Sequence, residues 1–411
     1  KVSKKVTRMK ATSIITRWIK NIRMSNSIKS TIVASIVLLF ILEGVSALFY
    51  YHKNKSPVQN ISSGVAAIQW VIKQVGNFSL SVSPKFNRLV KLREAGIDAF
   101  PTYFFEPLLH HPSDFYHLSN VPESYLVYCR ESGKFAEWTS DELGFRNPSG
   151  QLNSKVDFLF IGDSFVEGAC VSNENTFGGV FRSNGKRVFN LGRGGSGPLF
   201  NLATLTEYGD AVYANTVIWF VFTGNDLQDL RQEKTTKLSR YLVADYSQNL
   251  LLQKDDVTQN LKLFLESEMI FQKTRVETNK DFLQPQVENG IRIDEIETKF
   301  KEVPLLLEVA SMIKKKANGN GSNLAIVIIN HPRYKNFEIQ DSTSAAIRQF
   351  SMKNEVPFIE FSREYLATNW KKFYGNKGPH FNSRGYLSVG AEIFSWIDSE
   401  NLTSKTIIKN K

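Results

Sequence analysis

Five short, almost uninterrupted apolar runs constrain this chain more than any other feature. They occupy residues 156–161, 187–190, 216–222, 324–330 and 357–360, and helix-prone stretches at 199–209, 304–317 and 341–353 lie among them. A strand covered on one face alternates apolar and polar residues, whereas a strand apolar throughout is covered on both. Such strands, separated by helices, build an open parallel sheet with its ligand site outside the carboxyl ends of the strands. The pattern predicts an α/β domain over residues 151–400, with a five-stranded parallel sheet flanked by helices in three layers. The third and fourth runs stand much farther apart than one crossover needs. Residues 230–300 between them are charged and helix-prone, and read as a helical insertion able to cap the site. Residues 401–411 form a polar tail.

The formal net charge is +11, but it is not spread over the chain. Lys1, Lys4, Lys5, Arg8, Lys10, Arg17, Lys20, Arg23 and Lys29 all precede the first acidic residue, Glu43, leaving 42 basic against 40 acidic side chains. A nearly neutral body gives no support to a nucleic-acid groove. Residues 1–30 read as a basic cytoplasmic leader and 31–51 as a transmembrane signal anchor, with Glu43 a costly carboxylate within it. Residues 11–24 also pattern as a basic amphipathic helix suited to the inner leaflet. The expected location is the inner or plasma membrane, single-pass, with everything after residue 51 outside the cytoplasm. Val45-Ser46-Ala47 leaves a cleaved signal as the alternative. Residues 52–75 read as a linker, and 76–150 as an accessory region packed on the main domain, with a short strand near Tyr125–Tyr128. Outside the cytoplasm Cys129 and Cys170, the two cysteines of the chain, can form one disulfide; two buried thiols are the other reading.

Chemistry concentrates where the apolar runs end. The first leads into Gly162-Asp163-Ser164, a tight turn that delivers a serine to a helix start. The second leads into Asn190-Leu191-Gly192-Arg193-Gly194-Gly195, whose bare amides allow close approach of a ligand. The third ends in Thr223-Gly224-Asn225-Asp226, and after the fifth comes Gly378-Pro379-His380-Phe381-Asn382. A serine attacks an acyl carbonyl once a base takes its proton, histidine is the usual base, and the tetrahedral intermediate needs oxyanion donors. This ordered set resembles the SGNH (GDSL) hydrolase superfamily over roughly residues 155–398. The resemblance implies a flavodoxin-like three-layer fold, catalytic Ser164 and His380, and an oxyanion hole from Ser164, Gly195 and Asn225, with Gly194 as the register alternative. It calls for neither cofactor nor metal. The segment Thr139-Ser-Asp-Glu-Leu-Gly-Phe-Arg-Asn-Pro148 resembles a lead-in of bacterial envelope members.

One position departs from that pattern. The family usually carries an aspartate three residues before the histidine, to orient and stabilise it; here Lys377 stands there. Three readings follow: a Ser-His dyad steadied by Asn376 or a backbone carbonyl, a carboxylate brought from elsewhere, or a site kept for binding alone. Asp163 and His331 are further candidates for orienting or lining the pocket, although Asp163 and Asp226 also suit loop and cap roles. His110, His111 and His117 lack the companions of a metal site. The expectation is a membrane-anchored esterase or O-acyltransferase acting on extracytoplasmic carbohydrate or another acylated small molecule. In the transferase version, a membrane acyltransferase partner is implied by analogy. The rival is a non-catalytic polysaccharide-binding or assembly protein.

Overall fold

The structure, a computed structural model, describes residues 84–102, 115–274, 301–334, 336–375, 378–400 and 402. The expected leader, membrane segment and linker lie outside the described residues, as do 275–300 of the insertion and nearly all of the tail. Among the described residues no helix is long and apolar enough to cross a membrane.

The apolar runs fold as expected, into strands β4 (Lys155–Ile161), β5 (Val188–Asn190), β6 (Tyr213–Phe222), β7 (Asn323–Ile329) and β8 (Phe358–Phe361). Upstream lie β1 (Ala99–Pro101), β2 (Tyr125–Val127) and β3 (Glu137–Thr139). The five later strands form one all-parallel sheet in the order β5-β4-β6-β7-β8. With its first strand between the second and third, this is the flavodoxin-type doubly wound order. Strand β6 starts earlier than its apolar run because Lys155 and Val156 pair with Tyr213 and Ala214. Strand β7 stops one residue short, since Asn330 turns its amide toward Glu360 and the Phe361 carbonyl.

The helices include α1 (Pro84–Glu94), α2 (Ser164–Glu167), α3 (Phe177–Ser183), α4 (Pro198–Tyr208), α5 (Asp226–Glu233), α6 (Lys254–Thr274), α7 (Val303–Gly319), α8 (Phe337–Lys353) and α9 (Ser383–Ser399), with two short helical segments, Arg363–Thr368 and Trp370–Phe373, between α8 and α9. Successive strand residues point to opposite faces. Leu159, Val217, Trp219 and Ile326 therefore pack on one side with Leu199 and Leu202 of α4 and Val309 and Ile313 of α7. Phe158, Phe160, Ile218, Phe220 and Val327 pack on the other with Phe177 and Phe181 of α3 and Val389 and Ile393 of α9. Beyond the exposed first residues Lys155, Tyr213 and Asn323, nearly every residue of β4, β6 and β7 is buried whichever way it points, which is why these runs show little alternation.

The region before residue 151 is a second, smaller sheet in which β1 pairs parallel and β3 antiparallel to β2. Its core takes in Phe100, Leu126, Tyr128 and Trp138 together with Leu261, Phe264 and Leu265 of α6. The described part of the insertion thus packs on the small sheet. Phe160 is fully buried, edge-on to Phe181 at 5.1 Å and to Phe220 at 5.3 Å. Replacing it with alanine is expected to cost about 3–5 kcal/mol, read from the urea midpoint, through lost burial and the cavity left behind.

Candidate active site

Strand β4 ends at Ile161, and the turn that follows admits no side chain. Gly162 has φ +156°, and a methyl group there would run into Val166 and press on Phe220. Asp163 caps α2 by accepting the Phe165 N–H at 2.9 Å, and burial raises its carboxyl above the ordinary range. Ser164 is delivered as the first helical residue. At the other end of α2, Arg146 donates to the carbonyls of Gly168 (2.5 Å) and Val171 (2.7 Å), its guanidinium lying 4.1 Å from the Trp138 ring. The lead-in segment therefore acts as a brace. Its Asn147 exchanges two hydrogen bonds with the Asn190 backbone, at 2.7 and 2.9 Å, fastening the brace to the end of β5.

The glycine cluster after β5 is set by Glu167, a buried carboxylate that accepts from the Gly194 N–H at 2.7 Å and from Asn120 at 3.0 Å. Arg193, equally buried, pairs with it at 3.4 Å. The Gly194 donor is therefore occupied, whereas the Gly195 and Ser164 N–H groups have no partner among the described residues. That pattern fits the Gly195 register. After β6, Asn225 donates one amide hydrogen to Asp229 at 2.7 Å, leaving the second for a ligand. Burial, reinforced by Glu233, pushes the Asp229 carboxyl well up. Asp226 accepts the Phe222 N–H at 2.9 Å and is wholly buried, a structural role.

His380 follows β8 in a loop closed by the Gly375 N–H to the His380 carbonyl at 3.2 Å, and Asn382 then caps α9. Its ring joins two residues far apart in sequence. Nε2 lies 2.9 Å from Ser164 Oγ, and Nδ1 lies 2.6 Å from Glu131 Oε1. The other carboxylate oxygen accepts the His380 backbone N–H at 3.0 Å. The carboxylate comes from elsewhere, the second of the three readings. It sits on the turn between β2 and β3, outside the α/β domain. Asn376 and Lys377 lie outside the described residues. A methyl group at Gly378 would overlap the Glu131 carboxylate, so glycine there is what lets the acid in. Sequence reasoning missed Glu131; the available signals were its place two residues after Cys129 and a glycine before Pro379-His380. Cys129 and Cys170 are joined, with Cα atoms 5.0 Å apart.

Asp163 does not orient the imidazole; its carboxylate caps α2 instead. His331 does not present a free ring to a pocket either. Its Nε2–H donates to the Pro379 carbonyl at 3.1 Å, and its Nδ1 accepts the Arg333 N–H at 3.2 Å, which fixes the tautomer and steadies the residue before His380. Edge-on contacts with Phe222, Tyr334, Trp370 and Tyr374 surround it. His117 is buried, and His110 and His111 lie outside the described residues. Among the described residues, the one cluster with metal-ligand proximity is Cys129, Cys170 and His380, whose sulfurs are already bonded to each other. An activated hydroxyl, a base, an acid and amide donors at the ends of β4, β5 and β6 suit acyl transfer.

No family model and no curated protein matches the chain. Solved structures similar to it include a lipolytic protein of the G-D-S-L family from Veillonella parvula, at 8% identity and TM-score 0.32, covering 59% of this chain and 98% of that one. The psychrotrophic esterase EstA from Pseudoalteromonas is similar at 12% identity and TM-score 0.33, covering 61% and 98%. An acetyl xylan esterase is similar at 13% identity and TM-score 0.33, covering 58% and 98%.

Burial pushes the His331 pKa from 6.5 down to about 3, with electrostatic repulsion from the neighbouring His380 and Arg333 side chains adding to the effect. A depressed histidine pKa means the unfolded chain binds the extra proton, so this stability is full above pH 6.5 and drains away as pH falls toward 3. Between pH 7 and pH 5 the wild type is expected to lose about 2 kcal/mol relative to His331→Gln, which keeps an N–H donor without titrating. Paired denaturant titrations at the two pH values measure the difference.

Proposed function

We infer that this chain is a member of the SGNH hydrolase superfamily, an ester hydrolase working through Ser164, His380 and Glu131. The observation that carries this reading is the unbroken relay from Ser164 Oγ through the His380 imidazole to the Glu131 carboxylate, at 2.9 and 2.6 Å. The Ser164 hydroxyl donates to Nε2, which takes the proton as Oγ bonds to the acyl carbon. Glu131 keeps the proton of the ring on Nδ1 and stabilises the imidazolium that forms. The oxyanion is met by the Ser164 and Gly195 N–H groups and by the free amide hydrogen of Asn225. His380 then gives its proton to the departing alkoxide, leaving acyl-Ser164. A second hydroxyl, deprotonated by the same ring, attacks the acyl carbon and releases Ser164.

With water as that second hydroxyl the protein is an esterase, and with a sugar hydroxyl it is an O-acyltransferase. The alcohol component is read as carbohydrate, and the site as facing outward from a membrane anchor at residues 31–51. Supporting this are the basic leader before an apolar stretch and the aromatic surface at Trp370, where Arg333 stacks 3.8 Å from the ring. A membrane acyltransferase is the expected partner in the transferase version. The binding-only alternative drew its force from Lys377, and a carboxylate in hydrogen-bond contact with His380 removes that premise.

Ser164→Ala is expected to abolish both fluorophosphonate labelling and p-nitrophenyl acetate hydrolysis; retained hydrolysis would sink the nucleophile assignment. Glu131→Gln is expected to lower kcat by about 10²–10⁴-fold with KM nearly unchanged. Gly378→Ala should move kcat in the same direction by displacing the carboxylate.

A further inference from the structure

Glu131 stands in the exposed tip of the β2–β3 hairpin, among Arg130, Ser132, Gly133 and Lys134. The base of the hairpin is anchored by the strand ladder and by buried Tyr128 and Trp138. Beyond that base the backbone bonds are internal: Ala136 N–H to the Cys129 carbonyl at 2.9 Å, and Gly133 N–H to the Arg130 carbonyl at 3.1 Å. Among the described residues, the backbone of such a tip makes no hydrogen bond to the α/β domain. Among the described residues, residues 129–134 are tied to the α/β domain by the Cys129–Cys170 bond and by the bonds and contacts of Glu131 itself.

The partner cysteine is itself well anchored. Cys170 follows the nucleophile helix in a left-handed backbone conformation, φ +61°, between two carbonyls that Arg146 grips. Both sulfurs lie within 4.8 Å of a His380 ring nitrogen. The disulfide thus spans the gap between the segment that carries the acid and the segment that carries the nucleophile, beside the base that must meet both.

We propose that the Cys129–Cys170 disulfide is a positioning element of the active site, holding the hairpin tip so that Glu131 meets His380 at hydrogen-bond distance. The inference rests on the acyl-transfer reading above. A dithiol reductant breaks the S–S bond, each sulfur gains a hydrogen, and the reductant closes to its own disulfide. Among the described residues, the bonds of Glu131 and the packing of Cys129 are then what hold the tip, and a shift of about 1 Å in a catalytic group is enough to cost about 10²-fold in rate. Thiol–disulfide exchange with an oxidised dithiol donor, which takes up the two electrons and two hydrogens and leaves reduced, is accordingly the step that completes the site.

With two cysteines in the whole chain, dithiothreitol has a single target. Reduction of folded wild type, followed by thiol titration and circular dichroism, is expected to lower kcat on p-nitrophenyl acetate about 10²-fold with KM nearly unchanged. Reoxidation should restore it. Glu131→Gln should be slow from the start and lose nothing further on reduction, because the acid it would misplace is already gone. Full activity with two free thiols overturns the proposal, and so does an equal additional loss in Glu131→Gln. Unfolding of the reduced protein, and of Cys129→Ala/Cys170→Ala made as a second route, assigns the bond to stability and overturns positioning. Glu131→Gln with undiminished kcat fails the acyl-transfer reading of Glu131 instead, and is scored without reductant.

Discussion

The contact on which the site depends is the one between the His380 imidazole and the Glu131 carboxylate. An imidazole can take the serine proton only if its other nitrogen carries a hydrogen and the positive charge that develops is met by a negative one. Among the described residues of the loop that carries His380, none meets either condition. Both are met by a hairpin from the small upstream sheet, and several otherwise separate features serve that meeting. Gly378 leaves room for the carboxylate, His331 steadies the carbonyl just before His380, and the Cys129–Cys170 bond joins the acid-bearing segment to the nucleophile turn.

Buried polar groups fix the remaining parts. Charge taken out of water is costly unless it is paired and fully hydrogen-bonded. Glu167 fulfils that condition with Arg193, Asn120 and the Gly194 amide, and in doing so dictates where the glycine cluster runs. Arg146 does the same for the far end of α2, satisfying carbonyls that a four-residue helix leaves open. They decide which backbone groups are occupied within the protein and which are left open.

Most of the α/β fold was legible because its signals are local. The five apolar runs became five strands, since a sheet covered on both faces needs apolar residues at every position. Ser164, Gly195 and Asn225 were legible as candidates because each stands just past the end of such a run, and His380 because it lies in a glycine-flanked loop opening into the last helix. Glu131 was not, because it and His380 are 249 residues apart and meet only through tertiary packing. Nothing local distinguishes it from the exposed residues of any polar turn. The choice between Gly194 and Gly195 was equally hidden, for it turns on a side chain, Glu167, that reads from sequence as an ordinary helix residue. Asn330 ended β7 early for a comparable reason: its amide found partners on β8.

The order of the three residues along the chain is acid, nucleophile, base: Glu131, Ser164, His380. A chain made from its amino terminus presents the acid-bearing hairpin and the serine turn long before the histidine, which arrives just ahead of the final long helix, Ser383–Ser399. That helix packs Tyr386, Val389 and Ile393 against Phe177 and Phe181, so the base is seated only when the last piece of the core closes. A fragment that stops before this helix therefore carries the carboxylate and the serine without the packing that seats the histidine between them.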